Sequence, residues 1–121
     1  MSDAPLSSVK GSCHCGAVRY TADVDLSQPV MACNCSICSR ASYLLTFVPA
    51  ARFHLESAED ALTDYRFARA AISHPFCSTC GIRSFCSGED ASGTMYGINA
   101  RCLEDIDPEA LTVHRVDGKS L

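Results

Sequence analysis

The stretch CNCSIC (33–38) puts three cysteines into six positions. Two further groups, CHC (13–15) and CSTC (77–80), bring seven of the nine cysteines into three clusters, with Cys86 and Cys102 standing apart. The fold turns on whether these thiols cross-link the chain, pack its core or hold metal. A chain of 121 residues can bury one adequate core without disulfide staples, so a single domain is expected. The cysteine count is odd. The start, MSDAPLSSVKGS, has neither the basic end nor the apolar middle of a signal peptide. Both points argue against a disulfide framework and for metal, in a soluble cytoplasmic protein.

Spacing separates the ligands. A CxxC pair followed by glycine, as in Cys77, Cys80 and Gly81, is the knuckle of many zinc sites. Amides in such a turn point at the thiolates, and glycine relieves the bend. One knuckle supplies two of the four ligands that tetrahedral zinc takes. Cys13 and Cys15 are the economical second pair, giving a closed structural site. Cys33, Cys35 and Cys38 then remain as three thiolates in one loop, the arrangement of a catalytic zinc with an open fourth position. Zinc with three thiolates carries a formal charge of -1 rather than -2, and so still binds and ionises an incoming thiol. A closed site completed by Cys102, Cys86 or His74 is the competing reading, and an iron–sulfur cluster is another. His14, His54 and His114 read as structural or surface residues.

Working outward, short runs rich in β-branched and aromatic residues are separated by turn formers. AVRYTADV (17–24) alternates, and YLLTFVP (43–49) is a near-continuous apolar run ended by Pro49, as in a strand buried on both faces. FHLES (53–57), ALTDYRF (61–67), a segment around Phe85, TMYGINA (94–100) and LTVHRV (111–116) also fit strands. Helical spacing is confined to short turns at ICSRAS and near DIDPEAL, where Asp107 caps and Pro108 takes the first helical position. The expectation is a mostly β chain of seven to nine strands, with GSCHCG before the first strand, CNCSICS between strands and CSTCG at a hairpin tip.

Composition excludes some functions. The net charge of -4, from 14 acidic and 10 basic residues, gives no field to attract nucleic acid or anionic lipid. Arg66, Arg69, Arg83 and Arg101 are scattered in sequence and read as solvated surface. No apolar run approaches the length of a membrane span. GTMYG lacks the lysine and spacing of a phosphate loop, no G-x-S-x-G elbow is present, and GIRSF after Cys80 is not a DNA-reading helix. Nucleic acid and membrane are therefore not expected as partners.

GSCHCGAVRY (11–20), CNCSICSR (33–40), HPFCSTCGIRSF (74–85) and YGINARCLED (96–105), in this order, resemble the glutathione-dependent formaldehyde-activating enzyme family, which includes centromere protein V and its bacterial relatives. The likeness runs from Lys10 to Val116. It implies one zinc-binding domain over 10–116, between tails at 1–9 and 117–121. It also implies antiparallel β-sheets in a tent-like, Mss4-like arrangement with little helix. A structural zinc would sit on Cys13, Cys15, Cys77 and Cys80, and a catalytic zinc on Cys33, Cys35 and Cys38. The chain's compactness resembles the centromere-protein-V-like branch.

The function expected is a carbon–sulfur lyase of the S-(hydroxymethyl)glutathione synthase type, with two zinc ions, joining glutathione or a similar thiol to a small aldehyde. Arg40, just after the loop, is a candidate to meet a carboxylate or a developing oxyanion. The alternative is a non-catalytic, zinc-stabilised β module that binds a protein.

Overall fold

Alternating burial sets the first hairpin. The computed structural model describes residues 6–57, 59–66, 72–91 and 93–118. In it, Ser7–Ser12 (β1) pairs antiparallel with Arg19–Val24 (β2), and Tyr20, Ala22 and Val24 turn to the core while Arg19 faces out. The chain continues through Val30–Cys33 (β3), the helix Ser36–Ala41 (α1), Leu45–Pro49 (β4) and Phe53–Leu55 (β5). After these come the short Leu62–Thr63 (β6), Ile72–Ser73 (β7) and Phe76–Cys77 (β8), then Phe85–Asp90 (β9), Gly93–Asn99 (β10) and Val113–Val116 (β11). Among the described residues no helix is long and apolar enough to cross a membrane.

The strands form a three-stranded sheet ordered β1-β2-β5, a six-stranded sheet ordered β11-β3-β4-β10-β9-β7 and a two-stranded sheet of β6 and β8. Among the described residues all pairings are antiparallel except β11 with β3, which is parallel, so the large sheet is mixed. A parallel pair needs a long crossover, here supplied by everything between Cys33 and Val113. Val116 thereby lies beside Cys33, and the end of β11 is carried to the cysteine loop.

An aromatic cluster joins the two larger sheets. Tyr20 is 1% exposed, with ring centroids 5.1 Å from Phe53 and 5.7 Å from Phe85; Phe53 stacks on Tyr96 at 4.1 Å. The three-stranded sheet supplies Tyr20 and Phe53, and the six-stranded sheet supplies Phe85 and Tyr96. Val18, Val24, Val30, Val48 and Ile98 complete this core.

The mostly β reading holds, with several local corrections. β1 precedes the CHC group and takes in residues 7–9, which the sequence suggested as a tail; its low hydrophobicity hides a strand whose pairing comes from β2. The 43–49 run is not buried on both faces. Val48 packs into the main core, but on the outer face Leu45 is covered by Tyr43, Cys86 and parts of α1, whereas Phe47 is 48% exposed. CSTCG bends sharply, with the Gly81 amide on the Cys77 carbonyl, yet it is no hairpin tip, since β8 pairs with β6 and β9 pairs with β7 and β10. Within 61–67 only Leu62–Thr63 is a strand, and Phe67 lies outside the described residues. The turn at 107–110 forms as expected: Asp107 Oδ1 accepts from the Glu109 amide, and Pro108 opens a 3-10 turn.

Gly11 lies against the face of Tyr20, where an added Cβ would overlap the ring. Because that ring is held by Phe53 and Phe85, it has nowhere to move. Gly11→Ala is therefore expected to destabilise the chain by about 1–3 kcal/mol, read as a lower denaturant midpoint at unchanged slope.

Candidate metal centres

Two groups of thiols converge. Cys13 and Cys15 sit in the loop of the β1–β2 hairpin, Cys77 ends β8 and Cys80 lies in the turn beyond it. Their sulfurs all lie within 4.8 Å of one another. Cys13 Sγ is 3.7 Å from Cys15 Sγ, which is 3.5 Å from Cys77 Sγ. Gly16 (φ 83°) and Gly81 (φ 80°) follow the two pairs and take the left-handed conformation that lets each turn close. Amides then aim inward: Val18 N–H donates to Cys13 Sγ at 3.3 Å, and the Thr79 and Cys80 amides donate to Cys77 Sγ at 3.4 Å each.

These amides favour thiolates. The Ile82 amide, with that of Cys15, pulls Cys80 down to about 6, and the Cys80 amide lowers Cys77. Cys15 moves the opposite way, to about 11: the Ala17 amide lowers it, but the Cys77 thiol, burial and Cys13 raise it further. Four thiols this close cannot all ionise by themselves, and a cation that prefers sulfur removes the conflict.

The second group is Cys33, Cys35 and Cys38, all half-buried, again with sulfurs within 4.8 Å. Cys33 ends β3, and Cys35 is the N-cap of α1, its sulfur accepting from the Cys38 amide at 3.4 Å. Cys38 sits one turn into the helix. Burial works to raise Cys35, but the Cys38 amide, the Cys38 and Cys33 thiols and the Ile37 amide outweigh it, and the thiol is lowered. Burial, followed by Cys35 and the charge on Cys33, pushes Cys38 well above the usual thiol range. The donor set in both groups is soft and closely spaced, and both can hold a metal such as zinc.

Cys86, Cys102 and His74 are not members of the second group. Cys86 is buried against Tyr43 and Leu45, and burial raises it to about 11. The Cys102 thiol faces the Arg83 carbonyl at 3.9 Å. His74 is 3% exposed and pairs through Nδ1 with the Tyr43 hydroxyl at 3.3 Å; burial, with help from Arg83, holds it below the ordinary histidine range. His14, His54 and His114 lie on the surface, as expected. Arg40 Nη1 donates back to the Ser36 carbonyl of its own helix at 2.9 Å.

The C-terminal segment forms a wall of this site that the sequence reading placed in a tail. The Asn34 amide donates to the Val116 carbonyl at 3.1 Å, and Asn34 Nδ2 donates to Asp117 Oδ1 at 2.8 Å. The Gly118 backbone passes so near that a Cβ there would overlap Cys33 Sγ. The only sequence signal was the turn-forming pair Asp117-Gly118, which does not say what the turn faces. A cavity of about 590 Å³ opens between this wall and α1, lined by Cys33 and Cys38 together with Ser42, Tyr43, Arg101 and Asp117.

A solved relative has the same fold. The crystal structure of a Rhodobacter sphaeroides protein superposes with a TM-score of 0.76 at 28% identity, covering 88% of this chain and 99% of that one. The sequence profile of the glutathione-dependent formaldehyde-activating enzyme family matches residues 8–115, taking in both cysteine groups. With nearly the whole length matched, the chain belongs to the glutathione-dependent formaldehyde-activating enzyme family.

Proposed function

We propose that this protein is a zinc-dependent carbon–sulfur lyase of the compact, centromere-protein-V-like kind, adding a small thiol such as glutathione to a small aldehyde, or running the reverse cleavage. One observation carries the reading. The three-thiol group has no fourth protein ligand among the described residues and borders a cavity of about 590 Å³. Family membership supplies the reaction class.

In this reading Cys13, Cys15, Cys77 and Cys80 hold a structural zinc that pins the β1–β2 hairpin to β8, within a tent-like arrangement of the sheets. Cys33, Cys35 and Cys38 hold a second. When bound there, zinc supplies the positive charge that lets an incoming thiol ionise near neutral pH. The chain's own residues do the rest. The Cys38 amide keeps Cys35 in place, and the Asn34–Asp117 and Asn34–Val116 hydrogen bonds hold the loop against β11. The cavity beside them brings two small reactants together, where proximity replaces a bimolecular encounter. In the addition a sulfur–carbon bond forms, the carbonyl π pair moves to oxygen, and the proton lost by the thiol is matched by one gained at the new hydroxyl.

A second reading has one observation in its favour. Phe47 and Ile72, each 48% exposed, line an apolar recess with Met95 on the outer face of the six-stranded sheet, as a protein-binding module would show. Zinc K-edge absorption separates the readings. Three sulfurs and one light atom at one of two zinc sites supports the enzyme, and four sulfurs at both supports the module.

Cys35→Ser keeps an N-cap for α1, since serine is a preferred cap, while removing a soft ligand. It is expected to lower zinc content from two equivalents to one and abolish aldehyde–thiol addition, with the circular dichroism spectrum retained. Retention of both zinc ions or of activity would exclude the proposed role. Gly118→Ala should crowd Cys33 Sγ and speed chelator release of one zinc equivalent by roughly tenfold or more, leaving the other unchanged.

A further inference from the structure

Three arginines gather where the sequence scattered them. Arg101 lines the cavity that reaches Cys33 and Cys38, and it also lines a neighbouring one of about 390 Å³ that contains Arg40 and Arg83. Among the described residues no carboxylate lines that second cavity, and neither Arg40 nor Arg83 has an ion-pair partner. Each guanidinium is steadied on a backbone carbonyl at 2.9 Å: Arg40 on Ser36, Arg83 on His74 and Arg101, through Nε, on Ser42. Arg83 also lies 5.0 Å from the centroid of the Phe76 ring.

Buried Asn99 ties this arrangement to the core. It is 4% exposed; its Oδ1 accepts from the Arg101 and Leu44 amides at 3.2 and 3.3 Å, and its Nδ2 donates to the Arg83 carbonyl at 3.1 Å. Two of the three arginine backbones are therefore held by one buried amide. With Nε engaged on Ser42, the outer fork of Arg101 is the part left to face a ligand. Its acidic neighbour among the described residues, Glu109, is 3.7 Å away with an 81% exposed side chain, a loose pair of little strength.

We propose that Arg101, with Arg40 and Arg83 beyond it, is the carboxylate-recognition site for the thiol substrate. This rests on the proposed function and narrows its substrate to thiols carrying carboxylates. The sulfur end lies toward Cys33 and Cys38, the anionic end crosses the C-terminal end of α1, and a substrate carboxylate displaces Glu109 from Arg101. A planar guanidinium fork matches a carboxylate in shape as well as charge.

The test uses the zinc-loaded full chain with formaldehyde and two thiols, dianionic mercaptosuccinate and uncharged 2-mercaptoethanol. Arg101→Gln is expected to raise the ratio of their KM values, anionic over uncharged, about tenfold. Arg40→Gln should raise it less, and Glu109→Gln should lower it. An unchanged ratio in Arg101→Gln overturns the proposal. Succinate, which has the carboxylates without the thiol, reads binding independently of turnover. Its titration should shift the Arg101 Nε–Hε resonance in the wild-type NMR spectrum, and no shift at millimolar succinate also overturns the proposal. A protein inactive with every thiol would sink the lyase reading, leaving the succinate titration to judge the arginine site.

Discussion

Crowded thiols are the constraint on which the structure depends. Seven sulfurs fall into two groups, each spanning less than 4.8 Å, and every ionisation makes the next one harder. At about 4 Å two like charges repel by roughly 4 kcal/mol at a typical protein dielectric. The thiol acidities diverge: backbone amides lower Cys77 and Cys80 and, against burial, help lower Cys35, while the Cys77 thiol raises Cys15 over the Ala17 amide and burial, followed by neighbouring thiols, raises Cys38. A bound cation turns the same closeness into coordination. Segments with no other strong reason to meet, such as the β1–β2 loop and the end of β8, can then be held together with very little regular structure.

The remainder of the fold supports and walls the second group. The Tyr20, Phe53, Phe85 and Tyr96 cluster joins the sheets, and α1 rests on a smaller cluster of Tyr43, Leu45 and Cys86. The CNCSIC loop is thus supported from beneath and walled by β11 and Gly118, with a cavity lined by Cys33 and Cys38 beside it. Asn99 links the wall of that cavity to the arginines. A single buried amide places Leu44, Arg83 and Arg101 relative to one another, beside the cavity that Cys33 and Cys38 line.

The clustering of the cysteines was legible because spacing is a local property. CxC, CxCxxC and CxxC-Gly each need only a turn to bring their sulfurs together, and glycine at 16 and 81 marks where the turn bends. Strand positions around 17–24, 94–100 and 111–116 were also readable, since alternation and β-branched content are local. β1 was missed because Ser7, Ser8, Lys10 and Ser12 show no apolar alternation, and its pairing is dictated by a neighbour. The one-sided exposure of Phe47 was missed because the covering at Leu45 depends on how α1 folds back and on Cys86, which is distant in sequence.

By itself the sequence determined the three thiol clusters, the β-rich class and the family motifs, because these depend on residues within a few positions of one another, while the grouping into four and three came from matching thiols to the four ligands of tetrahedral zinc. Only the tertiary structure decided what surrounds the three-thiol group. The parallel pairing of β11 with β3 brings Asp117 and Gly118 from 80 or more positions away onto Asn34 and Cys33. The same folding gathers Arg40, Arg83 and Arg101 at one end of α1 and sends His74, Cys86 and Cys102 to other partners. Contacts between residues so far apart follow from strand order and core packing, which no local spacing encodes.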